Sequence, residues 1–362
     1  MSHRGPPELP LPRLEISLDK INQNTKLLVG MCHGSKISVI GVTKAFCGCE
    51  EIARSMEAGG VDGLADSRIE NLKRLHSIKL PKLLLRLPMI SQALEAVEYA
   101  DISLNSEIAT LKALSAAASS RRRTHRVILM FDLGDLREGI FDEADLLRTV
   151  ESALELDSIV LAGIGTNLTC QSGLIPTEYH LARLVELRKT IENRFDIVLD
   201  VTSGGSSSTL HLLEKAAIPT GINQLRLGEA ILLGRETSYG HPIVGTHDDC
   251  FRLITEIIEI KKKPSVPTGE IGLDAFGNKP IFTDKGVRTR ALCAIGRQDV
   301  FPQNMAPEDG DIAIIGASSD HLILDMTDCH RPYQVGDMVH FKLRYGGILS
   351  CMTSSYVSKA FV

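Results

Sequence analysis

Apolar positions along the first two thirds of the chain fall into short runs separated by stretches of helical period. The runs near 37–43, 61–65, 82–87, 101–104, 126–132, 158–167, 196–202 and 222–226 read as strands. ISVIGV, at 37–42, is unbroken, as in a strand buried on both faces. Between the runs, EEIARSMEAGG, SRIENLKRLH, EIATLKALSAAA and EYHLARLVELRKTIENR carry the spacing of amphipathic helices. Eight strands alternating with helices predict a (β/α)8 TIM-like barrel over residues 11–235, close to its usual length of about 250 residues. An open doubly wound sheet is the rival arrangement. A further strand, 12–17, precedes the first helix, which starts at Leu18.

From Phe251 onward the pattern changes. FRLITEIIEI, VRTRALCAIG, DIAIIGA, HLILDM and MVHFKL read as strands divided by Pro, Gly and Asp turns, with little helix between them. The chain therefore reads as an α/β barrel, a turn-rich linker at 236–248 and a C-terminal mainly-β domain at 249–362, joined by the strand at 12–17.

At 362 residues the chain has room for both cores. A net charge of −5 argues against a nucleic-acid partner, and Arg121–Arg123 reads as an exposed loop. The eight cysteines form no CxxC pair, which fits reduced thiols and no metal site. The beginning, MSHRGPPELPLPRLE, has no apolar signal core and no run reaches the length of a membrane span, so a cytoplasmic protein with no membrane partner is expected.

Barrels gather their chemistry at the carboxyl ends of the strands, and Lys44 follows the first of these. Alone, it is as readily a solvated turn residue. In DVTSGGSSSTLHLLEK, however, Ser203, Gly204 and Gly205 stand between a strand and a helix, where backbone N–H groups are free for a phosphate. INQLRLGEAILLG places Arg226 at the end of the eighth strand and Gly228 before another helix. Loops after the last two strands are a common phosphate site in barrels, although a Ser/Gly-rich surface loop explains either segment by itself. A lysine and a phosphate site on one face suggest pyridoxal 5'-phosphate, whose aldehyde takes a lysine amine. Arg226, permanently a donor, would keep the ring nitrogen unprotonated, which suits simple proton exchange at an α-carbon.

The chain resembles the fold-type III pyridoxal phosphate enzymes of the alanine/ornithine racemase family. VTKAFCG, DSRIENLKRL, DLGDLREGI, GIGTNLTC, TSGGSSS, GINQLRLGEAILLGRET, KPSVPTGEIGLDAFGNKP, AIGRQDV, GASSDHLILD and MTSSYVSK carry the resemblance, in order, from about Leu11 to Val362. It implies a racemase of a free amino acid, a basic one such as ornithine, acting by two-base α-proton exchange. Lys44 is then the cofactor lysine and Arg226 faces the ring nitrogen. Ser203, Gly204, the backbone of Gly228 and Glu229, and Tyr356 hold the phosphate. Arg137 supports the phenolic oxygen and the substrate carboxylate, and otherwise reads as a surface ion pair with Glu138. Asn167 stands where a histidine usually lies beneath the ring. The usual second catalytic tyrosine has no counterpart, since Phe276 occupies that position. Asp274 and Asp320 are the candidates for the opposite face, provided that a desolvated pocket raises a carboxyl pKa. The resemblance further implies a homodimer with shared active sites. Rival readings are a non-catalytic pyridoxal phosphate homeostasis protein and a fold-type III decarboxylase. The first lacks a second domain, and the second pairs the ring nitrogen with a carboxylate.

Overall fold

The computed structural model of the protein describes residues 10–362. Contacts divide them into two units, residues 18–248 and residues 10–17 with 249–362. The strands, in chain order, begin with β1 (Arg13–Ile16), followed by β2 (Ser38–Val42), β3 (Gly63–Asp66), β4 (Lys82–Leu84) and β5 (Ile102–Asn105). Next come β6 (His125–Met130), β7 (Ile159–Gly165), β8 (Val201–Ser206) and β9 (Gln224–Leu227). Strands β2 to β9 form a closed parallel barrel, β2 pairing with β9 through Val39↔Leu225 and Ile40↔Arg226. This is the (β/α)8 arrangement rather than the open sheet.

Alternation along each strand sorts the side chains. Ile40, Val42, Ala65, Leu83, Leu104, Ile128 and Met130 form one buried cluster. Leu84, Val127, Leu129, Leu161 and Ile164 pack instead with helical residues such as Leu111, Leu114, Leu146, Val150, Leu181 and Leu184. Burying one such aliphatic side chain contributes about 1.5–3 kcal/mol, so the two clusters supply much of what holds the barrel closed.

One strand lies elsewhere than its apolar pattern predicts. IVLDV suggests 196–202, yet β8 starts at Val201 and continues through the poor strand formers Thr202–Ser206. The reason is the neighbour. Gly163 of β7 pairs with Val201, and a Cβ at Gly163 would lie 1.9 Å from the Val201 carbonyl oxygen. A bare backbone on β7 lets β8 approach, and the ladder outweighs local propensity. Ser203, Gly204 and Gly205 are consequently strand residues rather than the opening of a helix. The turn comes later, as a 3-10 segment at Ser207–Thr209 before the helix Leu210–Glu214.

The other unit is built on β10 (Phe251–Pro264), β11 (Val287–Cys293), β12 (Met305–Pro307), β13 (Ala313–Ala317), β14 (Leu322–Asp325), β15 (Met338–Leu343) and β16 (Ser358–Phe361). Its sheet order is β12-β15-β10-β11-β14-β13, with β1 against β10 and β16. The short β12 and β16 and the helix Tyr345–Thr353 escape a reading by periodicity. Strand β10 also runs past its apolar part, because pairing with β11 continues as far as Pro264↔Val287.

The turn-rich residues 236–248 pack with the barrel unit. Glu236, almost wholly buried, ties this segment by accepting N–H groups from Ser238, Tyr239 and His241 at 2.7, 3.0 and 2.8 Å. Among the described residues no helix is long and apolar enough to cross a membrane.

Candidate active site

Strand β2 ends in a single 3-10 turn, Lys44–Phe46, which places half-buried Lys44 at the carboxyl end of the barrel. Chain reversal there uses a left-handed Cys47, with φ 55°. The Lys44 charge reaches Glu229, the first residue of the helix after β9; burial raises the Glu229 pKa, and Arg235 and Lys44 oppose that rise.

Arg226, near the carboxyl end of β9, is buried. Its guanidinium donates to the Ser203 hydroxyl on β8 and, at 2.7 Å, to the Thr166 carbonyl just beyond β7. Burial lowers its pKa to about 10, with Glu138 and Cys170 acting against the fall. The arginine thus remains a charged donor at neutral pH. Arg137 is paired in two hydrogen bonds with Glu138, the second at 2.5 Å. Burial disfavours its charge, but Glu138 and Cys170 together outweigh that and leave its pKa raised. The ion pair expected as the bland reading of Arg137 is therefore present, and it sits within electrostatic reach of Arg226.

Next to Thr166, the Asn167 side-chain nitrogen and the Thr166 hydroxyl are buried without a hydrogen-bond partner among the described residues. Buried polar atoms left open in this way call for a ligand. Together with an amine and a fixed guanidinium, they fit a flat, polar, anionic cofactor such as pyridoxal phosphate. Ser203 has its acceptor side occupied by Arg226, which leaves its proton to donate. Gly204 follows inside β8, and Gly228 and Glu229 open the helix Glu229–Leu233.

The proposed acids of the second face are placed differently from expectation. The Asp274 carboxylate caps a turn, accepting the Phe276 and Asn278 N–H groups at 2.9 and 2.8 Å. The Asn278 N–H, more than any other group, lowers its pKa, so it is not the elevated acid the sequence reading requires. Asp320 is exposed at a bend and accepts the Ser319 hydroxyl, so it does not face the desolvated pocket expected of it. Phe276 carries the Arg297 guanidinium over its ring at 4.3 Å. Tyr356 belongs to the β unit and is 65% exposed, with its N–H bonded to Ser354 Oγ at 3.1 Å.

Several groups escape the sequence reading. Ser207 Oγ accepts the Ala230 N–H at 3.2 Å and so joins the two phosphate-loop candidates. Asp66 is buried at the end of β3, beside the Lys44 turn. A carboxylate closing the apolar GLAD strand was the available signal for it.

Comparison with known proteins agrees with this architecture. The family model described as "Alanine racemase, N-terminal domain" matches residues 16–236. The chain is 44% identical to an ornithine racemase of Acetoanaerobium sticklandii over 348 residues, 96% of this chain and 99% of that protein. It is 38% identical to a lysine racemase of Thermotoga maritima over 352 residues, 97% and 98% of the two chains. In fold it resembles the alanine racemase of Bartonella henselae solved with covalently bound pyridoxal phosphate, with a TM-score of 0.74, 15% identity and coverage of 97% and 99%. A barrel match over most of the chain, joined to near-full-length identity with two racemases, places this chain in the alanine racemase family of amino-acid racemases.

Proposed function

We propose that the protein racemises a free basic amino acid, ornithine or its homologue lysine, with pyridoxal 5'-phosphate as cofactor. The observation that carries the substrate reading is the near-full-length identity to an ornithine racemase and a lysine racemase, enzymes named for amino acids that share a distal ammonium. Both alignments extend through the β unit, which a single-barrel carrier of the cofactor does not need. A decarboxylase is disfavoured because the residue that would face the ring nitrogen is the buried donor Arg226 rather than a carboxylate.

Lys44 would hold the aldehyde carbon, Arg226 the ring nitrogen, and Asn167 would turn its open amide to the ring. Ser203, Gly204 and the N–H groups of Gly228 and Glu229 would hold the phosphate. Once bound, the cofactor makes the substrate's α C–H acidic by withdrawing its electrons. The Lys44 amine would take or give the α-proton on one face, while a second group serves the other. Arg226, held by Ser203 and Thr166, presents only N–H groups and so would leave the ring nitrogen without a proton. Arg137, oriented by Glu138, offers its remaining N–H groups to the substrate carboxylate.

We extend the reading to a cytoplasmic homodimer with shared active sites, which sedimentation at catalytic concentrations would test. The substrate test is incubation of purified protein and cofactor with L-ornithine, L-lysine, L-arginine and L-alanine, followed by chiral chromatography. D-ornithine or D-lysine should form fastest. Faster turnover of L-alanine would overturn the basic-substrate reading, and no D-isomer from any of them would overturn the enzyme.

A further inference from the structure

The Asp66 carboxylate has no part in the chemistry above, yet it is wholly shielded from solvent at the end of β3. Burial raises its pKa against the hydrogen bonds of Thr43, Asn71 and the Arg68 and Ser67 N–H groups. A carboxylate so placed requires partners on both oxygens. Oδ2 lies 2.5 Å from the Thr43 hydroxyl, while Oδ1 accepts the Asn71 amide at 3.0 Å and the Arg68 N–H at 2.9 Å.

These partners tie the start of the lysine turn, at Thr43, to the helix that packs against its end. Thr43 directly precedes Lys44, and its carbonyl accepts the Phe46 and Gly48 N–H groups at 3.1 and 3.3 Å. Gly48 closes the turn at φ 62°, and a Cβ there would lie 2.9 Å from both the Cβ and the carbonyl oxygen of Asn71. Arg74, on the same helix as Asn71 (Ile69–Arg74), donates to the Cys47 carbonyl at 3.0 Å. Asp66 thus bonds to Thr43 at the start of the turn and to Asn71 on a helix that packs against Gly48 and, through Arg74, bonds to Cys47.

We propose that Asp66 is a positioning residue that locks the turn carrying the Lys44 amine, by bonding Thr43 at its start and anchoring, through Asn71, the helix on which its end packs. The inference rests on Lys44 being the cofactor lysine. Hydrogen bonding, rather than charge, is what the geometry uses. In Asp66→Asn the amide nitrogen can face Thr43, whose hydroxyl then accepts it and donates to the Ala65 carbonyl, already 3.2 Å away. Thr43→Val keeps the side-chain shape and deletes the link.

The test compares wild type, Thr43→Val, Asp66→Asn and Asp66→Ala as full chains. Amide hydrogen exchange over 43–49, the rate of pyridoxal phosphate uptake at Lys44, kcat and KM, and the thermal midpoint are measured. In Thr43→Val, exchange over 43–49 should quicken and cofactor uptake and kcat should fall, each about tenfold, with KM unchanged. Asp66→Asn should stay within about threefold of wild type, and Asp66→Ala, if it folds, should be worse than Thr43→Val. Wild-type exchange in Thr43→Val overturns the proposal, as does an Asp66→Asn protein as impaired as Thr43→Val. A lower thermal midpoint with unchanged uptake and kcat reduces Asp66 to a structural residue and also overturns it. If the wild type takes up no cofactor at Lys44, the proposed function fails, and the exchange data alone then decide whether the clamp exists.

Discussion

Arg226 on β9 donates to the Thr166 carbonyl oxygen, just past β7, at 2.7 Å, so one guanidinium spans the two strands on either side of β8. With the Ser203 hydroxyl taking a second N–H, the arginine is held in a fork that a single ammonium cannot reproduce. Arg226→Lys should therefore lower kcat about 10- to 100-fold, the loss of one charge-assisted hydrogen bond of about 1.5–3 kcal/mol, while the protein stays folded. Steady-state racemisation, with circular dichroism as a folding control, checks this. A wild-type kcat would remove Arg226 from the reacting centre.

Lys44→Ala should abolish both racemisation and covalent cofactor attachment. Borohydride treatment of the wild type followed by peptide mapping should find the reduced cofactor on Lys44. A label on another lysine would reassign the centre.

Asp274→Asn should leave the racemisation rate within about twofold of wild type, because the carboxylate caps an exposed turn by accepting N–H groups from Phe276 and Asn278. Both go to Oδ1, which an amide oxygen can replace as acceptor. A large fall in kcat without a change in KM would return Asp274 to the list of proton carriers.

His125, the first residue of β6, is buried at the amino end of the barrel, with its Nε2 at 2.8 Å from Ser103 Oγ. Burial lowers its pKa from 6.5 to about 4, with Arg123 adding to the fall. Folding favours the neutral ring, so its contribution is complete above pH 6.5 and is lost as the pH falls towards 4. That contribution is about 3 kcal/mol. Urea unfolding of the wild type should weaken across this window, and His125→Gln should flatten the slope there. An equal slope in the variant would show that other groups carry the acid sensitivity.

Much of this protein is legible locally. Runs such as ISVIGV and helices such as Glu178–Phe195 announce themselves by period, and a lysine or arginine at the end of such a strand marks the chemical face. The strand pattern placed Lys44 and Arg226 at the carboxyl ends of their strands, where the structure also has them. What remained hidden depends on partners distant along the chain. TSGGS becomes a strand because Gly163 lets β8 approach β7. Ser203 turns to Arg226, 23 residues away, and Asp66 closes on Thr43 from the neighbouring strand, also 23 residues away. Asp274, which its place beside the missing tyrosine suggests as an acid, is instead held charged by its own turn. Hydrophobic period is a property of neighbours in sequence and survives without the fold. Hydrogen-bond pairing and desolvation, which assign each polar group its role, exist only once the barrel has closed.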